Sequence, residues 1–425
     1  MKRVLIIGYL HPYTRTGGSF RVLPLARHLP EFGWEPVVLT PFLLKKAELP
    51  FRVVETEYRD AMAFWRRLFK LDKNQDLKRE VQGRLGAIAR NPLSEFFMNR
   101  IGEIVNYPDS HRGWKPFALE TGKELLRKEK FSALLSCHPT LSHIVTRELK
   151  EISGLPWVAD LPDLWSRNHN YQYTPLRRYF DTRLELKTLS PADVLTTVSE
   201  PWAETLRDLH KGKQVYSITH GFNPDEVNEP PVALTSKFTI TYTGTIYPEG
   251  QDPSKLFAAL RALISDGTID PVNIEVRFYG SYLNWLDKEI EKYGLSSIAK
   301  QYGQLPRSEV MERQRESQLL LSLKWENPEQ RGWHSGKIYE YLAARRPVLA
   351  IGGSEDVLKD LIDETKAGSC AFSVEDIERK LRELYREYRQ KGAITYYGIE
   401  SKLDKYSHRE MARRFAEVLN QIKGD

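Results

Sequence analysis

Short apolar runs alternate with amphipathic helical stretches along the whole of this 425-residue chain, and that rhythm narrows the folds open to it. The pattern predicts strands at Val4–Ile7, Pro36–Thr40, Ala133–Ser136, Trp157–Asp160 and Val194–Val198 in the first half. In the second half it predicts them at Thr239–Tyr242, Glu275–Tyr279, Leu319–Leu323 and Val348–Ile351. Helical spacing falls between them, at Ser19–Phe32, Thr140–Ser153, Pro253–Ser265 and Ser335–Ala344. Strands that read as unbroken apolar runs are covered on both faces, which is the habit of parallel sheets flanked by helices. The expected class is therefore α/β, with doubly wound, Rossmann-like sheets.

Length argues for two domains. A Pro- and Asn-rich stretch from Gly221-Phe222-Asn223-Pro224 to Pro230-Pro231 marks the break. The division expected is an N-terminal domain over 1–221, with a basic and aromatic helical insertion at about 60–115, and a second domain over 236–405. A tail over 406–425 opens with the capping-box pattern Ser407-His408-Arg409-Glu410.

Composition excludes several classes. Apolar residues make up 41% and charged residues 28% of the chain, a soluble balance. No apolar run approaches the length of a membrane span, and Met1-Lys2-Arg3 before Val4 is too short for a signal peptide. Cys137 and Cys370 lie in different halves and suggest no disulfide framework. A cytoplasmic protein is expected. The +6 charge is uneven: Phe64 to Arg100 holds nine Lys/Arg against four Asp/Glu. Within it, Phe64-Trp65-Arg66-Arg67-Leu68-Phe69-Lys70-Leu71 suits either an interfacial helix on an anionic membrane or an insertion packed on the body. No nucleic-acid-binding module accompanies the charge.

The stretch Gly332 to Ala350 carries the sharpest chemistry. A helix opening at Ser335 offers a capped first turn as an anion seat, with Lys337 beside it and Glu340 on the same face. Ser335 to Glu340 spans roughly 7.5 Å, the separation of a diphosphate from its ribose hydroxyls. The alternative is a buried helix with an ordinary i,i+3 ion pair.

Ligands of open α/β sheets sit beyond the carboxyl ends of the strands, so the loops there are candidates. Gly17-Gly18 opens a helix after the first strand, but the loop is not the Gly-x-Gly-x-x-Gly of dinucleotide binders. Ser136-Cys137-His138 and Asp160-Leu161-Pro162-Asp163-Leu164-Trp165 end neighbouring strands. His138, Asp160 and Asp163 could orient hydroxyls or accept a proton there; a structural donor or a helix cap is the other reading. In the second half Gly244-Thr245, Tyr279-Gly280 and Gly303-Gln304-Leu305 stand at strand ends. The chain has no Asp-x-Asp and no Cys/His cluster with ligand spacing, so neither a metal nor another cofactor is expected.

These residues resemble a retaining glycosyltransferase of the GT-B fold and the GT4-like family, in a branch that makes surface polysaccharide or glycolipid. Ser335-Gly336-Lys337-Ile338-Tyr339-Glu340-Tyr341-Leu342-Ala343 followed by Pro347-Val348-Leu349-Ala350 is similar to that family's C-terminal donor motif. Gly17-Gly18, Thr197-Val198-Ser199-Glu200, Gly221-Phe222 and Tyr242-Thr243-Gly244-Thr245 follow in the family's order, and Asp160 to Trp165 resembles an Asp-Phe-Arg-Asp-Pro-Trp segment.

The resemblance implies two domains facing a central cleft, with a nucleotide diphosphate sugar held by the second and a glycan or lipid-linked acceptor entering over the first. It implies that Glu340 binds ribose, and that the amides of Ser335, Gly336, Lys337 and Ile338, with the Lys337 side chain, hold the diphosphate. Gly18 would reach across the cleft, Leu305 would meet the base, and Gly17, Gly244, Thr245, Tyr279 and Gly280 would complete the donor site. On the acceptor side it implies His138, Asp160, Asp163 and Trp165, with His138, Asp163 and Lys337 as the catalytic candidates. Gly332 stands where the family often has a second Glu, Gln251 where it usually has a basic residue, and Pro162 where the segment has Arg. Arg331 and His334 are candidates to replace the lost charge. Two other functions fit the same frame: a nucleotide-sugar epimerase or hydrolase, and a catalytically silent nucleotide-sugar-binding protein.

Overall fold

The computed structural model describes residues 1–10, 19–42, 48–59, 107–109, 111–168, 173–228, 230, 232–248, 250–326, 332–333 and 335–422. The chain divides into two compact units, Met1–Ile218 with Ala412–Asp425, and Thr219–Met411.

Among the described residues, the first unit carries a seven-stranded parallel sheet: β1 (Lys2–Ile7), β2 (Trp34–Pro41), β3 (Arg52–Thr56), β4 (Ala133–Ser136), β5 (Trp157–Leu161), β6 (Val194–Thr197) and β7 (Gln214–Ser217). Their spatial order is β3-β2-β1-β4-β5-β6-β7. Val4, Leu5, Ile6 and Ile7 of the central β1 have no exposed surface, as a strand covered on both faces requires. Helices Lys115–Lys128, Thr140–Ser153, Pro175–Leu189 and Glu200–Leu209 provide the crossovers.

The second unit has six parallel strands among its described residues: β8 (Phe238–Thr243), β9 (Ile274–Tyr279), β10 (Ala299–Gly303), β11 (Leu319–Leu323), β12 (Val348–Ile351) and β13 (Gly368–Ala371). They run β10-β9-β8-β11-β12-β13. Strand order therefore reverses between β1 and β4 in one sheet and between β8 and β11 in the other, and a doubly wound sheet opens a crevice at such a point.

The four strands that the apolar rhythm does not show, β3, β7, β10 and β13, are the four sheet edges. An edge strand is open to solvent along one side, so it keeps polar residues and loses the unbroken apolar signature.

The second unit is closed by its own ends. Phe222 and Ser407 form a parallel bridge, in which the Phe222 N–H donates to the Tyr406 carbonyl at 2.8 Å and the His408 N–H donates to the Phe222 carbonyl at 2.8 Å. A Cβ at Gly221 would lie 2.4 Å from the Ser407 carbonyl carbon, so glycine permits the close approach. The last helix, His408–Gln421, opens with the Ser407 hydroxyl accepting from the Glu410 N–H at 3.1 Å, the cap read from the sequence. Ala412 onward belongs to the first unit.

Candidate functional site

In the second unit the helix Gly336–Ala344 is anchored by Ile338, Tyr339, Tyr341 and Leu342, none more than 1% exposed. Ser335 caps it, its hydroxyl accepting the Lys337 N–H at 3.4 Å. The Ile338 N–H already donates to the Ser335 carbonyl at 3.1 Å. Of the amides expected to hold an anion, those of Lys337 and Ile338 are thus engaged within the cap itself.

The Lys337 side chain leaves its helix for the loop after β8. Its Nζ donates to the Tyr242 hydroxyl and, at 2.9 Å, to the Thr245 carbonyl, and it sits 4.3 Å from the Tyr242 ring centroid. Gly244 takes φ +102° beneath it. A chain of close backbone contacts links the strand ends: the Gly244 N–H donates to the Tyr279 carbonyl at 2.6 Å, and the Gly280 N–H donates to the Gly303 carbonyl at 2.9 Å. A Cβ on Gly280 would stand 2.2 Å from the Gly244 carbonyl oxygen. Glycine here lets three strand ends approach side by side.

Glu340, only 7% exposed, takes different partners. Its Oε2 accepts from Gln314 Nε2 at 3.3 Å, and Arg307 Nη1 lies 3.7 Å from its Oε1. Gln314 Nε2 also donates to Thr243 Oγ1 at 2.8 Å, and the Tyr341 hydroxyl accepts the Thr243 N–H at 3.1 Å. Arg307 is half-exposed and also pairs with Glu226. Leu305 lies two residues before it, on the same connection out of β10. Tyr279 stacks on Tyr302, centroids 5.1 Å apart.

Gly244, Thr245, Tyr279, Gly280, Ser335, Gly336, Lys337 and Glu340 are thus brought together at the carboxyl end of one sheet. The side chain of Ile338 is core. Arg307, Gln314 and Tyr242 belong to the same cluster, and no short motif announces them. Gly17, Gly18, Arg331 and His334 lie outside the described residues, as does Phe64–Leu71. Gly332 has φ +88°, so the expected Glu would be strained by the backbone at this position. Gln251 is 1% exposed; its side chain accepts from the Tyr247 N–H at 3.2 Å and donates to the Leu323 carbonyl at 3.0 Å.

In the first unit two acceptor-side expectations give way. Asp160 has no exposed surface and faces Arg21, itself fully buried. Arg21 Nη2 meets Asp160 Oδ1 at 2.8 Å and Arg21 Nε meets Oδ2 at 3.0 Å, while Thr196 Oγ1 donates to Oδ1 at 2.8 Å. The Cys137 thiol donates to Oδ2 at 3.3 Å. Asp160 is therefore a structural counter-ion with no surface for a sugar hydroxyl. Trp165 is buried as well, its ring stacked 6.5 Å from that of His143.

His138 and Asp163 lie beyond β4 and β5, largely buried but not sealed. Burial lowers the His138 pKa and raises that of Asp163, and in each case the other's charge partly offsets the shift. Asp109 and His111 join the same electrostatic group. Burial alone would raise the Asp109 carboxyl, but the His111 ring and the N–H groups of Leu141, at 2.8 Å, and His111, at 2.6 Å, hold it below its ordinary value. Tyr9 meets the His111 ring edge-on at 4.5 Å, and burial pushes its hydroxyl pKa up. Sequence reasoning passed over Asp109 and His111 because they fall in the stretch taken as an insertion; the Pro108-Asp109 turn signal was the available clue.

No family model matches the chain, and no curated protein matches its sequence. Solved structures do match it. Sucrose-phosphate synthase from Thermosynechococcus elongatus superposes with a TM-score of 0.64 at 14% identity, over 99% of each chain. HepE of Anabaena, in complex with UDP and glucose, gives 0.60 at 11% identity, over 99% of this chain and 100% of that one. An E. coli protein described as trehalose-6-phosphate, bound with UDP-2-fluoro glucose, gives 0.58 at 13% identity over all of both chains. The fold is GT-B. Within that fold the glycine-linked strand ends and the Gly336–Ala344 helix belong to the second parallel unit, and the His138–Asp163 pair to the first.

Proposed function

We propose that this chain is a retaining, GT4-like glycosyltransferase that moves a sugar from a nucleotide diphosphate sugar to a hydroxyl of a glycan or lipid-linked glycan. One observation carries the reading: a single helix puts Lys337 against the loop after β8 and Glu340 against Gln314 and Arg307, as the sugar–diphosphate portion of a nucleotide requires. The neighbours solved with UDP, glucose or UDP-2-fluoro glucose support it.

In this mechanism the bond from the anomeric carbon to the diphosphate oxygen breaks as the acceptor oxygen bonds to the same face. The acceptor proton passes to the departing phosphate. Lys337 and the Ser335 helix end stabilise the charge that grows on the diphosphate, and Glu340 accepts from the ribose hydroxyls. His138 and Asp163 orient hydroxyls of donor or acceptor. No enzymic nucleophile and no metal is assigned a step.

Thermal-shift screening against UDP-, GDP-, ADP- and dTDP-sugars, followed by calorimetry, tests this. One nucleotide class should stabilise the protein, and Glu340→Ala should weaken its binding roughly tenfold or more, the scale of a lost hydrogen bond to a charged group. Unchanged binding by Glu340→Ala would remove the assignment. Donor binding without transfer to any acceptor would leave a silent binding protein instead.

A further inference from the structure

The helix Pro175–Leu189 is inside out. Its buried residues include Arg177, Asp181, Glu185 and Thr188. Arg177 Nε pairs with Asp181 at 2.8 Å, and Glu185 accepts from the Ser166 N–H at 2.8 Å and meets His210 Nε2 at 3.2 Å. Its large apolar residues face water: Leu176 is 67% exposed, Tyr179 52%, Phe180 50% and Leu186 38%. With Arg183 and Lys187, both exposed, they fall within about 120° of arc at the helical turn angle. A core-facing helix shows the reverse arrangement, and an exposed apolar stripe of this kind marks a contact surface.

Beside the stripe, Arg167, Tyr173, Pro175, Arg178, Tyr179 and Thr182 line an open pocket of about 450 Å³. Tyr179 belongs to both, and the Arg183 guanidinium lies 5.1 Å from its ring centroid. Apolar side chains and a cationic rim thus share one face, and the arginine-lined pocket flanks it through Tyr179.

We propose that this face docks on an anionic lipid bilayer, with Leu176, Tyr179, Phe180 and Leu186 at the acyl boundary and the pocket taking a phosphate headgroup. Arg183 and Lys187 on the stripe, with Arg167 and Arg178 at the flanking pocket, complement a negative surface, each basic group near such a surface adding attraction. A second copy of the chain fits poorly. A two-fold contact through this face sets Arg183 and Lys187 of one copy against the same cations of the other. The proposal does not depend on the donor-site reading.

Co-sedimentation of the full chain with phosphatidylcholine vesicles, with and without phosphatidylglycerol, tests it. Binding is expected to anionic vesicles alone and to weaken with salt. Arg183→Glu with Lys187→Glu, and separately Leu176→Ser with Phe180→Ser, should each lower the vesicle partition roughly tenfold, with unfolding midpoints kept. Arg66→Glu with Arg67→Glu, run in parallel, assigns the surface. The proposal is overturned if wild type ignores anionic vesicles, or if the helix variants bind as wild type does. It is equally overturned if only the Arg66/Arg67 variant loses binding, or if wild type is a dimer that Phe180→Ser dissolves.

Discussion

A Cβ placed on Gly244 would lie 2.4 Å from Cε of Lys337. Two residues 93 positions apart in the chain thus share one volume, and the side chain of the second occupies what the first lacks. Gly244→Ala should displace Lys337 as well as strain a φ of +102°. Gly267→Ala supplies the control, since Gly267 has φ +76° and nothing within 4 Å of its would-be Cβ. Both should lose about 1–2 kcal/mol of stability from left-handed backbone strain. Only Gly244→Ala should lose nucleotide-sugar affinity, measured by calorimetry.

The Arg21–Asp160 pair has no exposed surface on either side chain. Removing one partner leaves a buried charge, so Asp160→Leu should cost about 3–5 kcal/mol in urea unfolding. Arg21→Met with Asp160→Leu should recover much of that loss. A double variant no more stable than the single would show that the pair does more than satisfy itself.

His143 is buried, its ring nitrogen 2.7 Å from Ser136 Oγ, and burial depresses its pKa to about 4. The unfolded chain binds this proton near the ordinary value of 6.5 while the native state refuses it. Its contribution is therefore intact above pH 6.5 and is lost as pH falls toward 4, with no further change below. A shift of this size is worth roughly 3 kcal/mol at most. Urea midpoints measured through that window should fall less steeply for His143→Asn than for wild type.

Gln251 stands where a basic residue was expected, and its two hydrogen bonds tie the Tyr247 backbone to the end of β11. Gln251→Lys should therefore not restore donor affinity. It should destabilise the protein by about 1–3 kcal/mol, since buried backbone groups lose partners. Tighter donor binding in this variant would contradict the structural role.

The interior strands were legible because burial on both faces leaves an unbroken apolar run, as in Val4-Leu5-Ile6-Ile7. Edge strands such as Ala299–Gly303, with alternating exposure, carry no such run. The Gly336–Ala344 helix was legible because its cap, its lysine and its glutamate fall within six consecutive residues. What those side chains touch was not. Gln314 reaches Glu340 from 26 positions away and Arg21 reaches Asp160 from 139, and such meetings are set by topology. The same reason explains why Asp160, readable as a strand-end carboxylate, turned out to be sealed inside. Burial depends on what covers a residue, which its neighbours in sequence do not say.

The Phe222–Ser407 bridge has a consequence for how the chain is assembled. It fastens together the two ends of the 219–411 segment, so that segment is a closed loop inserted into the first unit. Phe222 and Leu403, from opposite ends, sit in one apolar cluster of that unit. Residue 411 thus completes everything this unit needs, whereas the first unit still lacks its final helix. The second unit can therefore be built from one continuous stretch of chain, whereas the first draws on both ends of the sequence.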